Sequence, residues 1–515
     1  MTDRSSVRST LLKTSRSFTY SPLRTAMPSL KEDEASLRPS PASVDKPPLT
    51  TEVAIDTTAE SAASGHISAF EESHTVHYRS FKRRWFGLVA LMLLNFVSSW
   101  AWLTFAPISS IVADFFSLSS ETPVNWLSTV ILFTYLVGSV PSAITLNRYG
   151  VKVSMLTSAV LLIIGSWVRV AGVKCRDGRG SFGVLIFGQI IVGLGQPFSL
   201  NAPSYYSDMW FTSKSRVSAN ALASLSNPLG GAIGQLVSPA FVSQTNQFSN
   251  MVLWVSIIAT ILCLPAIFIP ARPPCPPCPS SAVAKFPLKK SVRLLLTNRR
   301  FMIIFFVFAI LVGFFNAFSS LINQIMEPYG YTSDQAGYAG AILIVAGLVF
   351  SAILSPILDR LHTFLLAIQI QVPIIAVCYI CLIFTQTENK QLIGPYIVSG
   401  VLGASSFSLL PLALEWVQEQ VFPVSPELTS SILWAGGNLV GGIFIVVMDA
   451  LKYGSNQGSP PQNMKRSLIF EAVVAGVTIP LPFLLGNKNM TRNRRVELDE
   501  HESSSYSSEQ TGEEG

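Results

Sequence analysis

The chain has 515 residues, 49% of them hydrophobic and only 13% charged, against roughly 25% charged in an ordinary soluble protein. Its mean hydropathy is +0.44 although both ends are polar, which excludes a large soluble enzyme and makes a bilayer the natural solvent. The net charge of +6 is spread over loops and tails without a basic stripe, so nucleic acid is not an expected partner.

Residues 1–77 are rich in Ser, Thr and Pro, without apolar periodicity or the early apolar core of a secretory signal. A disordered cytoplasmic tail is expected there. Arg79, Lys82, Arg83 and Arg84 then mark the cytoplasmic side of a first span. Six runs near the ~20 residues a bilayer demands follow: Trp85–Ala106, Trp126–Leu146, Val153–Val173, Phe182–Leu200, Val217–Val242 and Met251–Ile269. They predict an N-terminal six-helix bundle over 78–270. Residues 271–300 form a basic linker carrying Arg272, Lys285, Lys289, Lys290, Arg293, Arg299 and Arg300. Six more runs, Phe301–Ile325, Ala336–Leu358, Phe364–Phe384, Leu392–Leu414, Leu428–Met448 and Leu468–Leu485, predict a second bundle over 301–486. Residues 487–515 make a second tail, acidic from Glu497.

The fold class is therefore an all-α membrane protein of twelve transmembrane helices with both termini cytoplasmic. The basic linker and Lys488, Arg492, Arg494 and Arg495 agree with the positive-inside rule. One loop disagrees, since Lys174, Arg176 and Arg179 fall on the outer side, and it is outvoted.

Six cysteines at 175, 263, 275, 278, 378 and 381 do not make a disulfide framework. The two Cys-x-x-Cys pairs differ in setting, one in a proline-rich loop and one in an apolar run, so a shared zinc ion is not expected. No metal or cofactor is called for.

The halves repeat. Asn147-Arg148 and Asp359-Arg360 stand 212 residues apart, Asn227 and Asn438 (each followed by Gly-Gly at 230 and 441) 211 apart, and Phe198-Ser199-Leu200 and Phe407-Ser408-Leu409 209 apart. Parallel six-helix repeats are the architecture of major facilitator transporters, and the chain resembles that superfamily across all twelve spans. Its inter-span signature is altered in both copies: Asn147, Arg148, Gly150 and Lys152 have Asn where the acid stands, and Asp359 and Arg360 lack the glycine. The resemblance implies a gating clamp at these positions. Gly230 and Gly234, like Gly437 and Gly441, stand four apart on one helix face, where missing side chains admit a neighbouring helix. Asn227 and Asn438 beside them are expected to make interhelical hydrogen bonds.

Closer at hand, Asn125-Trp-Leu-Ser128, Gly165-Ser-Trp-Val-Arg169, Trp210-Phe211, Ser224-Leu-Ser-Asn-Pro-Leu-Gly230, Phe318-Ser-Ser-Leu-Ile-Asn323-Gln324 and Glu415-Trp-Val-Gln-Glu419-Gln-Val-Phe-Pro423 resemble solute carrier family 49, the feline leukaemia virus subgroup C receptor-related proteins, and most of all its third branch. The resemblance implies transport of choline or ethanolamine, with haem export also proposed for the family. It implies an aromatic cage with Trp102 as the cage tryptophan and Gln196 as its polar partner. The third cage position, a tyrosine in the choline branch, falls at Asn316, which removes a π-face that cation–π attraction uses.

Polar groups inside spans are expensive and mark a pathway by default. Glu415 reads as a cation or proton site, or as an interfacial acid. Arg169, near the outer end of its span, reads as a functional base or as a snorkelling one. Asn323 and Gln324 either line the cavity or bond between helices, and Trp102 alone would also serve as a lipid-facing aromatic. No phosphate-binding Gly-x4-Gly-Lys-Ser/Thr loop occurs, and the five histidines lie in tails or a short loop, so neither a pump nor an enzyme is expected.

The sequence thus predicts a monomeric, plasma-membrane carrier of a small organic cation or amine. It would work by alternating access and facilitated diffusion, with Trp102, Gln196, Asn316, Asn323, Gln324 and Glu415 on the path. Two alternatives stay open: proton-coupled transport of a neutral or anionic metabolite or haem through Glu415 and Arg169, and a non-transporting receptor or sensor signalling through its tails.

Overall fold

Proline and glycine punctuate an otherwise helical chain. The computed structural model describes residues 81–486 apart from 176–179, 276, 279–287, 362–363, 386–390, 422–423 and 455, and for Asp359, Arg360 and Glu419 it describes the backbone alone. The expected tails, 1–77 and 487–515, lie outside the described residues.

In the first half the helices are α1 (Arg83–Leu103), α2 (Ser109–Phe115), α3 (Thr122–Tyr149), α4 (Val151–Lys174), α5 (Phe182–Leu200), α6 (Ala202–Trp210), α7 (Ser213–Phe241) and α8 (Phe248–Cys263). In the second they are α9 (Leu288–Thr297), α10 (Arg299–Met326), α11 (Ser333–Leu361), α12 (Phe364–Thr385), α13 (Ile393–Val421), α14 (Pro426–Ala450) and α15 (Lys465–Thr478). No strand occurs among the described residues. Pro107 divides the first span into α1 and α2, and Pro203 starts α6 after the break at Asn201. Gly150 joins α3 to α4 in a single residue at φ +84°, a backbone region open to glycine without strain.

Eleven helices among the described residues are long and apolar enough to cross a membrane. Of the twelve expected, α7 falls outside that number. Its 29 residues suffice in length, but Lys214, Arg216, Asn220, Asn227 and Gln235 make it polar. The expected basic linker contains a helix, α9. It turns Ser291 and Leu295, four apart, inward and leaves Lys289, Lys290 and Arg293 exposed, the face pattern of an amphipathic surface helix.

The repeat governs the packing. In the first half α1 lies on α7 and α3 on α5; in the second, α10 lies on α14 and α11 on α13. The halves meet through α3 on α14 and through α7 on α11, two contacts that exchange under the same permutation. Glycines set these approaches. A methyl group at Gly230 would strike the Phe96 carbonyl, and Gly234 faces Trp100, which brings α7 onto α1. Gly437 faces Val312 and Gly441 faces Asn316, which brings α14 onto α10. These glycines stand at helix crossings, as their spacing predicts.

Candidate functional site

Between the halves lies a cavity with about 790 Å³ of unoccupied space, its mouth included. Its polar lining falls near the middle of the spans: Trp102, Gln196, Asn316 and Asn438 lie on spans Arg83–Phe115, Phe182–Trp210, Arg299–Tyr329 and Pro426–Ala450, and Asn227 lies on α7. Aromatic faces come from Trp102, Phe315, Phe407 and Trp434. The Trp102 and Phe315 rings stand 6.3 Å apart edge-on, and Phe315 meets Phe407 at 4.9 Å. No acid or base is among the described residues that line it.

The cavity carries the repeat in its own wall. Trp102 answers to Phe315 at an offset of 213, Gln196 to Ser406 at 210, and Asn227 to Asn438 at 211, and all six line it. Gene-half symmetry thus places an aromatic, a small polar group and an amide on each side of one space.

Trp102 Nε1, Gln196 Oε1 and Asn316 Nδ2 are shielded from solvent and lack hydrogen-bond partners among the described residues. Leaving a buried polar atom unmatched costs about 1–3 kcal/mol, so each would gain from a ligand group that reaches it once the covering side chains turn aside. Asn227 donates Nδ2 to the Asn95 carbonyl and to Ser98 Oγ, each at 3.1 Å, and Asn438 donates Nδ2 to the Trp434 carbonyl at 2.8 Å. Asn227 thus makes the interhelical bonds expected of it, whereas the bond from Asn438 stays within its own helix, and both also face the cavity.

The other singled-out residues lie elsewhere. Asn323 donates Nδ2 to Ser109 Oγ at 3.2 Å and to Glu327 Oε2 at 2.9 Å. Gln324 donates to Asn125 Oδ1 at 2.6 Å, Asn125 donates to Asp449 Oδ1 at 2.7 Å, and Lys452 Nζ stands 3.4 Å from both Glu121 Oε2 and Gln324 Oε1. This polar set ties the halves together at the end of the bundle away from residues 81 and 486. A second set ties them at the end that bears those residues. There Asn147 donates Nδ2 to Glu427 Oε1 at 3.1 Å, Ser204 and Ser430 share a hydroxyl hydrogen bond at 3.0 Å, and Gln418 donates to Ser204 Oγ at 3.2 Å. The cavity lies between the two sets.

Of the altered signature, Arg148 packs over the Tyr149 ring at 5.6 Å and Lys152 is half-buried. The side chains of Asp359 and Arg360 lie outside the described residues. Glu415 is half-buried beside Leu414 of the lining but is not itself part of it. Arg169 is 0% exposed, so the snorkelling reading fails: the side chain does not reach water.

Sequence reasoning passed over Glu471, whose two carboxyl oxygens are buried without partners among the described residues. An acid in the apolar run Ile469-Phe470-Glu471-Ala472 was signal enough. It also passed over Ser406, which the repeat offset from Gln196 could have found, and over Ser224 and Trp434 of the lining, which no spacing distinguishes from ordinary span residues.

Comparison with known proteins places this architecture. The family profile described as Major Facilitator Superfamily matches residues 91–446. Solute carrier family 49 member A3 of Danio rerio is 31% identical over 375 residues, covering 72% of this chain and 79% of that one. The choline/ethanolamine transporter FLVCR1 of Felis catus is 30% identical over 386 residues, covering 72% and 68%. Among solved structures, a bacterial homologue of the human lysosomal transporter Spinster superposes with a TM-score of 0.58 at 16% identity, covering 79% of this chain and 98% of that one. The transporter FucP superposes with a TM-score of 0.57 at 14% identity, covering 79% and 100%. The chain is a multi-pass membrane protein and no enzyme: it belongs to the major facilitator superfamily and, within it, to solute carrier family 49.

Proposed function

We propose that this transporter carries a small organic cation or amine, of the size and charge of choline or ethanolamine, by alternating access and facilitated diffusion. The observation that carries the reading is the wall of the cavity, where four aromatic side chains stand among amides with unsatisfied polar atoms. Aromatic faces attract an ammonium group, by about 0.5–2 kcal/mol each, and the amides accept or donate at its hydroxyl or N–H groups. The name of the Felis catus relative points to the same ligands. Asn316 supplies an amide where the choline branch has a ring, which favours a ligand that offers hydrogen bonds over one that offers only methyl groups.

A cavity wall without a titratable group among its described residues supports facilitated diffusion over proton coupling at the substrate. The polar sets on either side of the cavity would open in alternation, exposing it first to one face of the membrane and then to the other. We place residues 1–77 and 487–515 in the cytoplasm as tails, on the positive-inside count, and the protein as a monomer in the plasma membrane.

The test is uptake of radiolabelled choline and ethanolamine into proteoliposomes, comparing wild type, Trp102→Ala and empty liposomes. Uptake by the wild type, falling about ten-fold or more in the variant, is the expected result. Wild-type uptake no greater than that of empty liposomes would exclude both ligands. Deleting residues 1–77 should leave uptake intact; loss of a cellular response with no transport to lose would instead favour a sensor.

A further inference from the structure

Between Asp208 and Glu327 the chain has no acid, and seven of the nine cations in that stretch fall within residues 271–300. There α9 is a helix of 10 residues, about 15 Å long, and Asn298 alone separates it from the membrane-crossing α10. Asn298 breaks the run in extended backbone, and its side chain accepts from the Arg300 and Phe301 N–H groups. So α10 starts afresh instead of continuing α9. In turn α9 packs on α10 and on α14, and its Ser291 and Leu295, one turn apart, are both 0% exposed. It therefore lies against the end of the bundle, at the level where α10 enters the bilayer.

The outer arc of α9 is mixed. With 100° between successive residues, Lys289, Arg293 and Lys290 stand between Leu296 on one side and Leu294 on the other, and the two leucines are 56% and 42% exposed. Arg299, the next cation along the chain, is exposed as well. Water solvates such cations but not the leucines beside them. A membrane surface suits both, since anionic headgroups attract the cations and the acyl boundary accepts the apolar side chains. We infer that α9 docks on the bilayer surface at this end and binds anionic phospholipid, with Lys289, Arg293 and Arg299 at the headgroup and a flanking leucine at the acyl boundary. The segment that joins the two halves is thereby held to the leaflet. The site is separate from the central cavity and independent of what that cavity carries.

The test uses the full chain in phosphatidylcholine vesicles, with a fluorophore on Leu294→Cys or Leu296→Cys in a background where the six native cysteines are replaced. A minor fraction of the lipid is phosphatidylserine or phosphatidylcholine that bears a nitroxide near the headgroup end of one acyl chain, a quencher that acts only at close range. One cation near an anionic surface is worth about five-fold, so quenching at one position or both should be at least about three-fold stronger from the serine lipid. Raising salt to about 1 M, or combining Lys289→Gln, Arg293→Gln and Arg299→Gln, should make the two lipids quench alike. The salt arm decides if the triple variant does not fold. No quenching at either position by either lipid overturns the proposal and leaves this face to water or to a soluble acidic partner. Equal quenching by both lipids without the substitutions at low salt also overturns it. So does a serine-lipid preference that survives the triple variant or high salt, which would put the attraction elsewhere.

Discussion

At the end of the bundle away from residues 81 and 486, the halves are joined by ionised groups: Glu121 with Lys452, and Asp449 through Asn125. At the opposite end the joint is made mostly of neutral groups, Ser204, Ser430 and Gln418, with Glu427 accepting from an amide. Hydrogen bonds that involve a charge are roughly twice as strong as neutral ones. The Lys452 and Glu121 side chains are 16% and 17% exposed, so part of that advantage is lost to solvent. Among the described residues the difference still has a direction: the joint with fewer charged groups is the easier one to part, and the empty carrier should open more readily at the end that bears residues 81 and 486.

The largest effect is expected from breaking the charged joint. Asn125→Ala with Lys452→Met removes the bonds to Asp449, Gln324 and Glu121 together. At about 1 kcal/mol net for each bond lost, three bonds shift the opening equilibrium by roughly a hundred-fold. Ser224 lines the cavity, and a cysteine there, in a background with the six native cysteines replaced, reports which end is open. An impermeant thiol reagent should reach it from the Lys452 side far faster in the double variant. An unchanged rate would show that this cluster does not hold the gate.

Next comes Asn147→Asp. Asparagine stands where the superfamily signature has an acid, and it faces Glu427 Oε1 at 3.1 Å. Restoring the acid would set two carboxylates in contact and replace an attraction with a repulsion. Glu427 is 3% exposed while Asn147 is exposed, so water moderates the clash, and about ten-fold faster labelling of the Ser224 cysteine from the terminal side is expected. Slower labelling from that side would mean the altered signature has a different partner when the gate moves.

These joints also mark how far the sequence could be read. Apolar run lengths gave the spans and a single offset gave the duplication, because both are written locally. The offset even reached the cavity, since Asn227 and Asn438 line it from paired helices. Trp102, Gln196 and Asn316 were singled out by family pattern and lie together on its wall. Asn323 and Gln324 were singled out as polar span residues, yet they lie in the charged joint. Their partners Ser109 and Asn125 are 214 and 199 residues away in sequence, and nothing local specifies such a pairing. Glu415 follows a lining residue, Leu414, without being among the described lining residues itself, since a helix turns 100° per residue and adjacent side chains point to different neighbours.

A smaller effect is expected at the neutral joint. Gln418→Leu with Ser430→Ala removes the amide and hydroxyl that meet Ser204. Two neutral bonds at about 0.5 kcal/mol each, the low end for a net hydrogen bond, predict labelling of the Ser224 cysteine from the terminal side about five-fold faster. An effect as large as that of the Asn125 and Lys452 double variant would remove the asymmetry between the ends.

Ionic strength should have the smallest effect and separates the joints most cleanly. Raising salt from 0.1 M to 1 M shortens the screening length from about 10 Å to about 3 Å. Lys452 and Glu121 stand 3.4 Å apart with both side chains partly wet, so their attraction should weaken. A surface pair is worth at most about 1 kcal/mol, which bounds the gain in opening at the Lys452 end to roughly two- to five-fold. Ser204, Ser430 and Gln418 carry no charge to screen, so their hydrogen bonds should not weaken with salt, and any quickening of labelling from their end would come through Glu427. Lys452→Met should abolish the salt response at its own end, because the remaining link from Asn125 to Asp449 is a short hydrogen bond of 2.7 Å rather than an ion pair. A salt response that survives in Lys452→Met would place the screened charges elsewhere, with Glu327, which accepts from Asn323, the first to examine.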